Sequence, residues 1–170
     1  MSINRYQKHI LVLPEDDANR QLAVGFVQHP TVRPRSLQIL GPAGGWPALR
    51  DQLHHQQLPG LARFQNRQLL LLCDFDERPT RRAEVLGELP ATAAQRVFVV
   101  GVWSEPEDLR TALGHRGLEA IGQELADHCC QPDPHAEALF EHPLLRYNRD
   151  EVARMAKCLR PFVIAGAGCR

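Results

Sequence analysis

Residues 68–76 have the sequence QLLLLCDFD, an apolar run that ends in two aspartates separated by a single residue. A strand without polar alternation is buried on both faces, as in the middle of a parallel sheet. Asp74 and Asp76 would then follow the carboxyl end of that strand. The segment therefore predicts an α/β fold with helices on both faces of the sheet, and acidic side chains at one edge of it.

Three further apolar runs have the length of buried strands, and they lie at residues 9–13 (HILVL), 36–40 (SLQIL) and 96–102 (RVFVVGV). Turn residues and amphipathic segments separate them, as expected for strands joined by helices. Strict alternation of strand and helix predicts right-handed crossovers. The expected fold is a three-layer α/β/α sandwich with a mostly parallel sheet of four or five strands.

The connecting segments carry helical patterns. Ala18, Leu22 and Phe26 recur at four-residue spacing, which is typical of the buried face of a helix. A second helix is expected to begin after Gly44-Gly45 and to end before Pro59-Gly60, because proline and glycine interrupt helices. A third helix is expected between Pro79 and Leu89.

The chain divides into residues 1–113, the α/β core, and residues 114–170, a helical C-terminal extension expected to pack on the same domain. Pro132 and Pro134 indicate a loop within this extension. Residues 162–165 (FVIA) suit either a short edge strand or the end of the last helix, and the pattern leaves both open.

Composition limits the classes of function. Lys plus Arg and Asp plus Glu both number 20, so the net charge is zero and contact with nucleic acid requires a local patch. No apolar run reaches the roughly 18 residues of a membrane span. We therefore expect no membrane contact and a cytoplasmic location. Five cysteines without CxxC spacing indicate neither a disulfide framework nor a zinc site. The oligomeric state stays open.

Acidic residues follow three of the predicted strands. Ligand sites of open parallel sheets lie beyond the carboxyl ends of the strands. Several carboxylates gathered there repel one another unless a cation neutralises them, and hard oxygen ligands favour Mg²⁺ or Mn²⁺. The residues concerned are Glu15, Asp16 and Asp17 after the first strand, Asp74 and Asp76 after the third, and Glu105, Glu107 and Asp108 after the fourth.

The order of these elements resembles the Toprim domain over roughly residues 9–110. That family has an apolar strand ending in a glutamate, then a helix, a strand and a helix, and then a second apolar strand ending in Asp-x-Asp. The resemblance implies that Glu15 is the general acid or base and that Asp74 and Asp76 bind the metal. Asp16 stands where the family usually has glycine, so Glu15, Asp16 and Asp17 all stay candidates for the key acid, with Asp17 a further candidate ligand.

Residues 103–108 (WSEPED) resemble the extra acidic element of Toprim proteins of the OLD nuclease type, which implies a second metal held by Glu105 and Glu107. The implied activity is metal-dependent cleavage of a DNA or RNA phosphodiester, within a DNA-repair or phage-defence complex. Such domains are commonly joined to ATPases, which implies an ATPase partner protein. The arginines that follow Asp76 are candidates to hold a nucleic-acid phosphate, with a solvated helix face as the alternative: Arg78, Arg81 and Arg82.

Two alternatives stay open. The chain also fits a non-catalytic Toprim-like adaptor subunit of an ATPase complex. It further resembles a receiver domain, in which Asp74 would accept a phosphoryl group. A receiver, however, needs a lysine after its fifth strand, and the chain has lysines only at positions 8 and 157. The missing lysine counts against the receiver.

Overall fold

The structure, a computed structural model, describes residues 3–130 and 137–166. Four parallel strands form one sheet in the order β2-β1-β3-β4 within these residues. The strands are β1 (His9–Pro14), β2 (Leu37–Ile39), β3 (Arg67–Asp74) and β4 (Val97–Val102). The all-parallel sheet with helices on both faces confirms the predicted three-layer α/β/α class, at the lower of the two predicted strand numbers.

The described helices cover both faces of this sheet. They are α1 (Asp17–Gln28), α2 (Trp46–Gln52), α3 (Leu58–Arg63), α4 (Arg81–Glu88), α5 (Ala91–Ala94), α6 (Pro106–Ala112), α7 (Leu118–Cys130), α8 (Glu137–Phe140), α9 (Arg149–Cys158) and α10 (Arg160–Val163). Helices α2 to α5 share one apolar core with the strands, and α1, α6, α7, α9 and α10 pack against the opposite face. None of the helices described is long and apolar enough to cross a membrane.

The strand order places a crevice between β1 and β3. The chain leaves β1 towards β2 on one side and returns to β3 on the other, so the crossovers diverge between these two neighbouring strands. Ligands of open α/β sheets bind at such a switch point, beyond the carboxyl ends of the strands. Glu15 directly follows β1, and Asp74 is the last residue of β3.

The second connection continues further than the proline predicted. Helix α2 passes through a π-helical turn at Leu53–Gln57 directly into α3, which includes Pro59 and ends at Arg63. Pro59 lies in the first turn of α3, directly after the π turn. The wider π turn already shifts the hydrogen bonds at this point, so the missing N–H of Pro59 breaks no further α-helical bond. The helix therefore continues through Pro59 instead of ending before it.

The C-terminal extension packs on the α/β core. Helix α7 crosses α1 so closely that a Cβ added to Gly122 would lie 2.1 Å from the carbonyl oxygen of Leu22. Residues 162–165 form the end of α10 and one isolated antiparallel bridge, between Ile164 and Val32. The loop predicted at Pro132 and Pro134 lies outside the described residues.

The outer edge of β4 is closed by side chains instead of a fifth strand. Asn148 lies fully buried beside it, accepting a hydrogen bond from the Gly101 N–H at 3.0 Å and donating one to the Gly101 carbonyl at 2.6 Å. Glu151 accepts from the Val99 N–H at 2.8 Å, and Arg82 donates to the Val99 carbonyl at 3.2 Å. Strand edges left open are prone to pairing with other chains, and this edge is blocked by side chains of α4 and of the segment around α9.

Candidate functional site

Glu15 is held at the end of β1 by its backbone and by its carboxylate. Its carbonyl oxygen accepts hydrogen bonds from the N–H groups of Gly44 and Gly45 at 2.9 and 3.1 Å. Both glycines have positive φ angles, 97° and 112°, which residues with a side chain rarely adopt. The Glu15 carboxylate accepts a hydrogen bond from the backbone N–H of Asp74 at 3.0 Å. The last residue of β3 and the first residue after β1 are thus linked directly.

Asn19 joins the Asp74 carboxylate to the start of α1. The Asn19 side-chain amide donates to an oxygen of Asp74 and to one of Asp16, both at 2.9 Å. Asp16 is also the N-cap of α1 and accepts the backbone N–H of Asn19 at 2.9 Å. The side-chain oxygen of Asn19 is buried without a hydrogen-bond partner. The NH2 group of Asn19 therefore links the carboxylates of Asp16 and Asp74.

Arg81 is the cation of the cluster. Its guanidinium donates to the carbonyl oxygen of Asp74 at 2.5 Å, pairs with the Asp76 carboxylate, and lies 4.0 Å from the Glu15 carboxylate. The guanidinium stacks on the ring of Trp46 at 4.5 Å, a contact that holds its plane against the site wall. Asp76 itself has a φ of +46°, in the left-handed region. Strained backbone of this kind is concentrated at functional sites.

Burial and crowding raise the pKa of two of the carboxyl groups. Burial raises the pKa of Asp74 to about 7, and the neighbouring Glu15, Asp16 and Asp76 add to the rise against the hydrogen bond from Asn19. Burial likewise raises the pKa of Glu15, although the Asp74 N–H and Arg81 oppose it. Arg81 is close to the carboxylates of only two of these four residues, Asp76 and Glu15. A further cation at this edge of the sheet would therefore relieve the repulsion among the carboxyl groups.

A second acidic group lies beside the first. Asp76, Glu77, Ser104, Glu105 and Asp108 line an open pocket of about 310 Å³, and the Ser104 hydroxyl is buried without a hydrogen-bond partner. Glu105 is the N-cap residue of α6 and lines this pocket together with Asp76. Glu107 is exposed in the first turn of α6 and is not part of the pocket lining. Of the two acids predicted for a second metal, Glu105 is the one that approaches Asp76.

The other predicted site residues occupy different surroundings. Asp17 is exposed and accepts a hydrogen bond from Gln21 at 3.0 Å, so Asp16 and not Asp17 reaches the Asp74 network. Arg82 donates to three acceptors beside β4 and stacks on Tyr147. Arg81 is buried in the site. Because both guanidinium groups serve internal contacts, Arg78 alone of the three predicted phosphate-binding arginines is exposed.

Asn19 is the site residue that the sequence did not single out. It has no charge, and its position in the first turn of α1 is ordinary for an asparagine. A signal existed, because it follows Asp16 by three residues and so occupies the same helix face. The turn at residues 42–45 directs the N–H groups of residues 43–45 to the carbonyls of Pro14 and Glu15.

The stability of the metal-free protein is expected to fall as the pH rises from about 4 to about 7. Asp74 keeps its proton in the folded state up to about 7, whereas its ordinary pKa is 3.8, so the folded state binds the extra proton only in that interval. Asp74→Asn removes this titration. The free energy of unfolding of the variant relative to wild type should therefore be about 2 kcal/mol higher at pH 8 than at pH 4, after allowance for solvent screening. Urea unfolding of wild type and variant in EDTA, at each pH, measures this difference in the free energy of unfolding. A constant difference between variant and wild type from pH 5 to 8 would contradict the assignment.

Comparison of the chain with models of protein families, with curated proteins and with solved structures finds no match.

Proposed function

We propose that this protein hydrolyses nucleic-acid phosphodiester bonds with Mg²⁺ or Mn²⁺ at the acidic cluster between β1 and β3. The observation that carries the proposal is the network at the switch point of the sheet in which Asn19 links Asp16 to Asp74, the Asp74 N–H binds Glu15, and Arg81 pairs with Asp76. Carboxyl groups gathered at a crevice, with a raised pKa on two of them, are typical of catalytic sites.

The donor set fits a hard divalent cation. Asp74, Asp76 and Asp16 supply carboxylate oxygens, and the unpartnered side-chain oxygen of Asn19 is an amide carbonyl, which Mg²⁺, Mn²⁺ and Ca²⁺ accept as a ligand. Residues 3–130 and 137–166 contain no group of three or more His, Cys, Asp or Glu side chains that is already arranged as a metal shell. The ligands are therefore assigned by chemistry and proximity.

Divalent cations at such sites neutralise the charge that develops on a phosphodiester and lower the pKa of water. Glu15 is the residue suited to proton transfer, because burial raises its pKa and its carboxylate is fixed by the Asp74 N–H. It would take a proton from the attacking water as the new P–O bond forms, and the leaving oxygen would take a proton from solvent water as the other P–O bond breaks. Arg81 would keep Asp76 and Asp74 in position. Glu105 would serve a second cation.

A non-catalytic adaptor is the second candidate, and one observation favours it. Arg81 already pairs with Asp76 and lies near Glu15, so the site carries an internal cation in the absence of metal. An adaptor of an ATPase partner would need the fold and its surfaces but no metal. Wild-type protein whose stability and activity are both indifferent to Mn²⁺ would favour this candidate.

The receiver gains no support from the geometry. Phosphoryl transfer to Asp74 requires a lysine near the carboxyl ends of the strands. Lys8 precedes β1, and Lys157 lines the same pocket as Lys8 at the opposite edge of the sheet. Neither lysine is placed beside Asp74.

Cleavage of supercoiled plasmid and of end-labelled single-stranded DNA and RNA, with Mn²⁺ or with EDTA, tests the proposal. Wild-type protein is expected to cleave only with metal. Asp74→Asn should abolish cleavage, while Asp51→Asn, a matched change on the exposed side of α2, should leave it intact. Cleavage that survives Asp74→Asn would assign the activity to another site or to a contaminant.

A further inference from the structure

The zero net charge conceals a separation of charge along the sheet. Basic residues precede or begin every strand, whereas acidic residues follow β1, β3 and β4. At the amino ends of the strands stand Lys8 before β1, Arg33 and Arg35 before β2, Arg67 at the start of β3 and Arg96 before β4. The edge of the sheet opposite the acidic cluster therefore carries a group of cations.

Three of these cations, Lys8, Arg67 and Arg96, form one surface together with Arg5, Arg63 and Lys157. The guanidinium groups of Arg5, Arg63 and Arg67 lie 5.9, 5.3 and 4.4 Å from the centre of the Phe64 ring. Arg96 donates to the carbonyl oxygens of Phe64 and Arg67 at 3.2 and 3.4 Å. A pocket of about 380 Å³ is lined by Arg96 together with both lysines of the chain. We call this surface the basic face: Arg5, Lys8, Arg63, Arg67, Arg96 and Lys157.

The basic face has no counter-anion of its own. None of its six cations forms an ion pair with a carboxylate among residues 3–130 and 137–166. Burial lowers the pKa of Arg67, and the charge of Arg5 lowers it further. Elsewhere in the described chain, by contrast, Arg20, Arg50, Arg116 and Arg149 each pair with an acid. Unneutralised cations held side by side suit an anionic ligand that binds several of them at once.

An exposed aromatic ring stands at the rim of the basic face. Tyr6 is 91% exposed, the one large apolar side chain so exposed within the described residues. It follows Arg5 directly, and its carbonyl oxygen accepts a hydrogen bond from Asn66, the residue before Arg67, at 2.9 Å. The backbone of Tyr6 is thus held beside the basic face, and its ring is exposed to water.

We propose that the basic face binds single-stranded nucleic acid, with phosphates on its cations and one base stacked on Tyr6. Proteins that bind single strands combine a positive surface for the backbone with aromatic rings on which bases stack. An acidic protein segment would use the cations but has no need of Tyr6, and a base-paired duplex does not offer free base faces. The proposal does not depend on cleavage at the acidic cluster, which lies about 25 Å away at the other end of an eight-residue strand.

The test is fluorescence anisotropy of a labelled oligothymidylate of roughly 20 nucleotides, titrated with the full chain in EDTA at several salt concentrations. Lys8→Ala with Lys157→Ala should weaken binding about tenfold and reduce the slope of log K against log salt by about 1.4, since each phosphate contact to a single strand contributes about 0.7. Tyr6→Ala should weaken binding by about fivefold or more without changing the slope, and Tyr6→Phe should bind like wild type. Arg110→Ala, an exposed arginine on α6, is the matched control and should have no effect.

All of these positions are exposed, so unchanged circular dichroism and melting temperature will show that the variants fold. The proposal is overturned if wild type does not bind the oligonucleotide, or if Tyr6→Ala and the double lysine variant bind as tightly as Arg110→Ala. Competition by polyglutamate that matches competition by unlabelled oligonucleotide would assign the basic face to an acidic protein partner instead.

Discussion

Glu15→Gln is expected to slow metal-dependent phosphodiester cleavage by roughly 100-fold or more, the usual contribution of a positioned general acid or base. The amide can still accept the hydrogen bond from the Asp74 N–H, so the local structure should persist. It cannot take up or release a proton near neutral pH. The initial rate of cleavage of end-labelled DNA in Mn²⁺ should fall. The profile of this rate against pH should also lose the limb that reports ionisation of the Glu15 carboxyl.

The control for this experiment is Asp51→Asn, which removes an exposed carboxylate of α2 that pairs with His55. Its rate should match wild type. Glu15→Gln protein that cleaves within about threefold of the wild-type rate would remove Glu15 from the proton transfer. The acid would then have to be sought at Asp16 or in the pocket of Glu105.

Asn148→Leu is expected to lower the free energy of unfolding by about 3 kcal/mol. The side chain is fully buried and bonds both the N–H and the carbonyl of Gly101, besides accepting from Arg82. Leucine is similar in size but leaves these backbone groups buried without partners, and each such group costs about 1–3 kcal/mol. Urea unfolding should show a lower midpoint, and heating should show a melting temperature about 10 °C lower.

The matched control is Gln65→Leu, the same kind of polar-to-apolar change at an exposed position with a single bond to the Ala62 carbonyl. It should change stability by no more than about 0.5 kcal/mol. Equal stability of the two variants would mean that the edge of β4 does not depend on Asn148. Aggregation of Asn148→Leu at high concentration, by contrast, is the expected result of an opened strand edge.

The parts of the fold that follow from local patterns could be predicted. The apolar run at residues 68–73 is β3 at the centre of the sheet, because only a strand covered on both faces tolerates five consecutive apolar residues of this kind. The proximity of Glu15 and Asp74 follows from the same logic. Each of these residues stands at the carboxyl end of a strand, and a parallel sheet aligns those ends at one edge. The structure pairs Pro14 with Leu72 in register.

The parts that depend on long-range contacts could not. Arg81 and Arg82 stand next to each other in sequence, yet one is directed to the acidic cluster and the other to the edge of β4, since successive residues of a helix point in different directions. Asn148 lies 47 residues from the strand that it closes. No local pattern indicates which residue of a helical tail will replace a fifth strand.

Diffraction from crystals soaked in millimolar Mn²⁺, recorded where manganese scatters anomalously, tests the metal centre most directly. The account predicts an anomalous peak between β1 and β3, about 2.1 Å from an oxygen of Asp74 and bonded also to Asp16, Asp76 or Asn19. The peak should be absent from crystals of Asp74→Asn. A wild-type crystal in which the acidic cluster stays without manganese, with Arg81 still paired to Asp76, would contradict the metal centre and leave the adaptor as the better account.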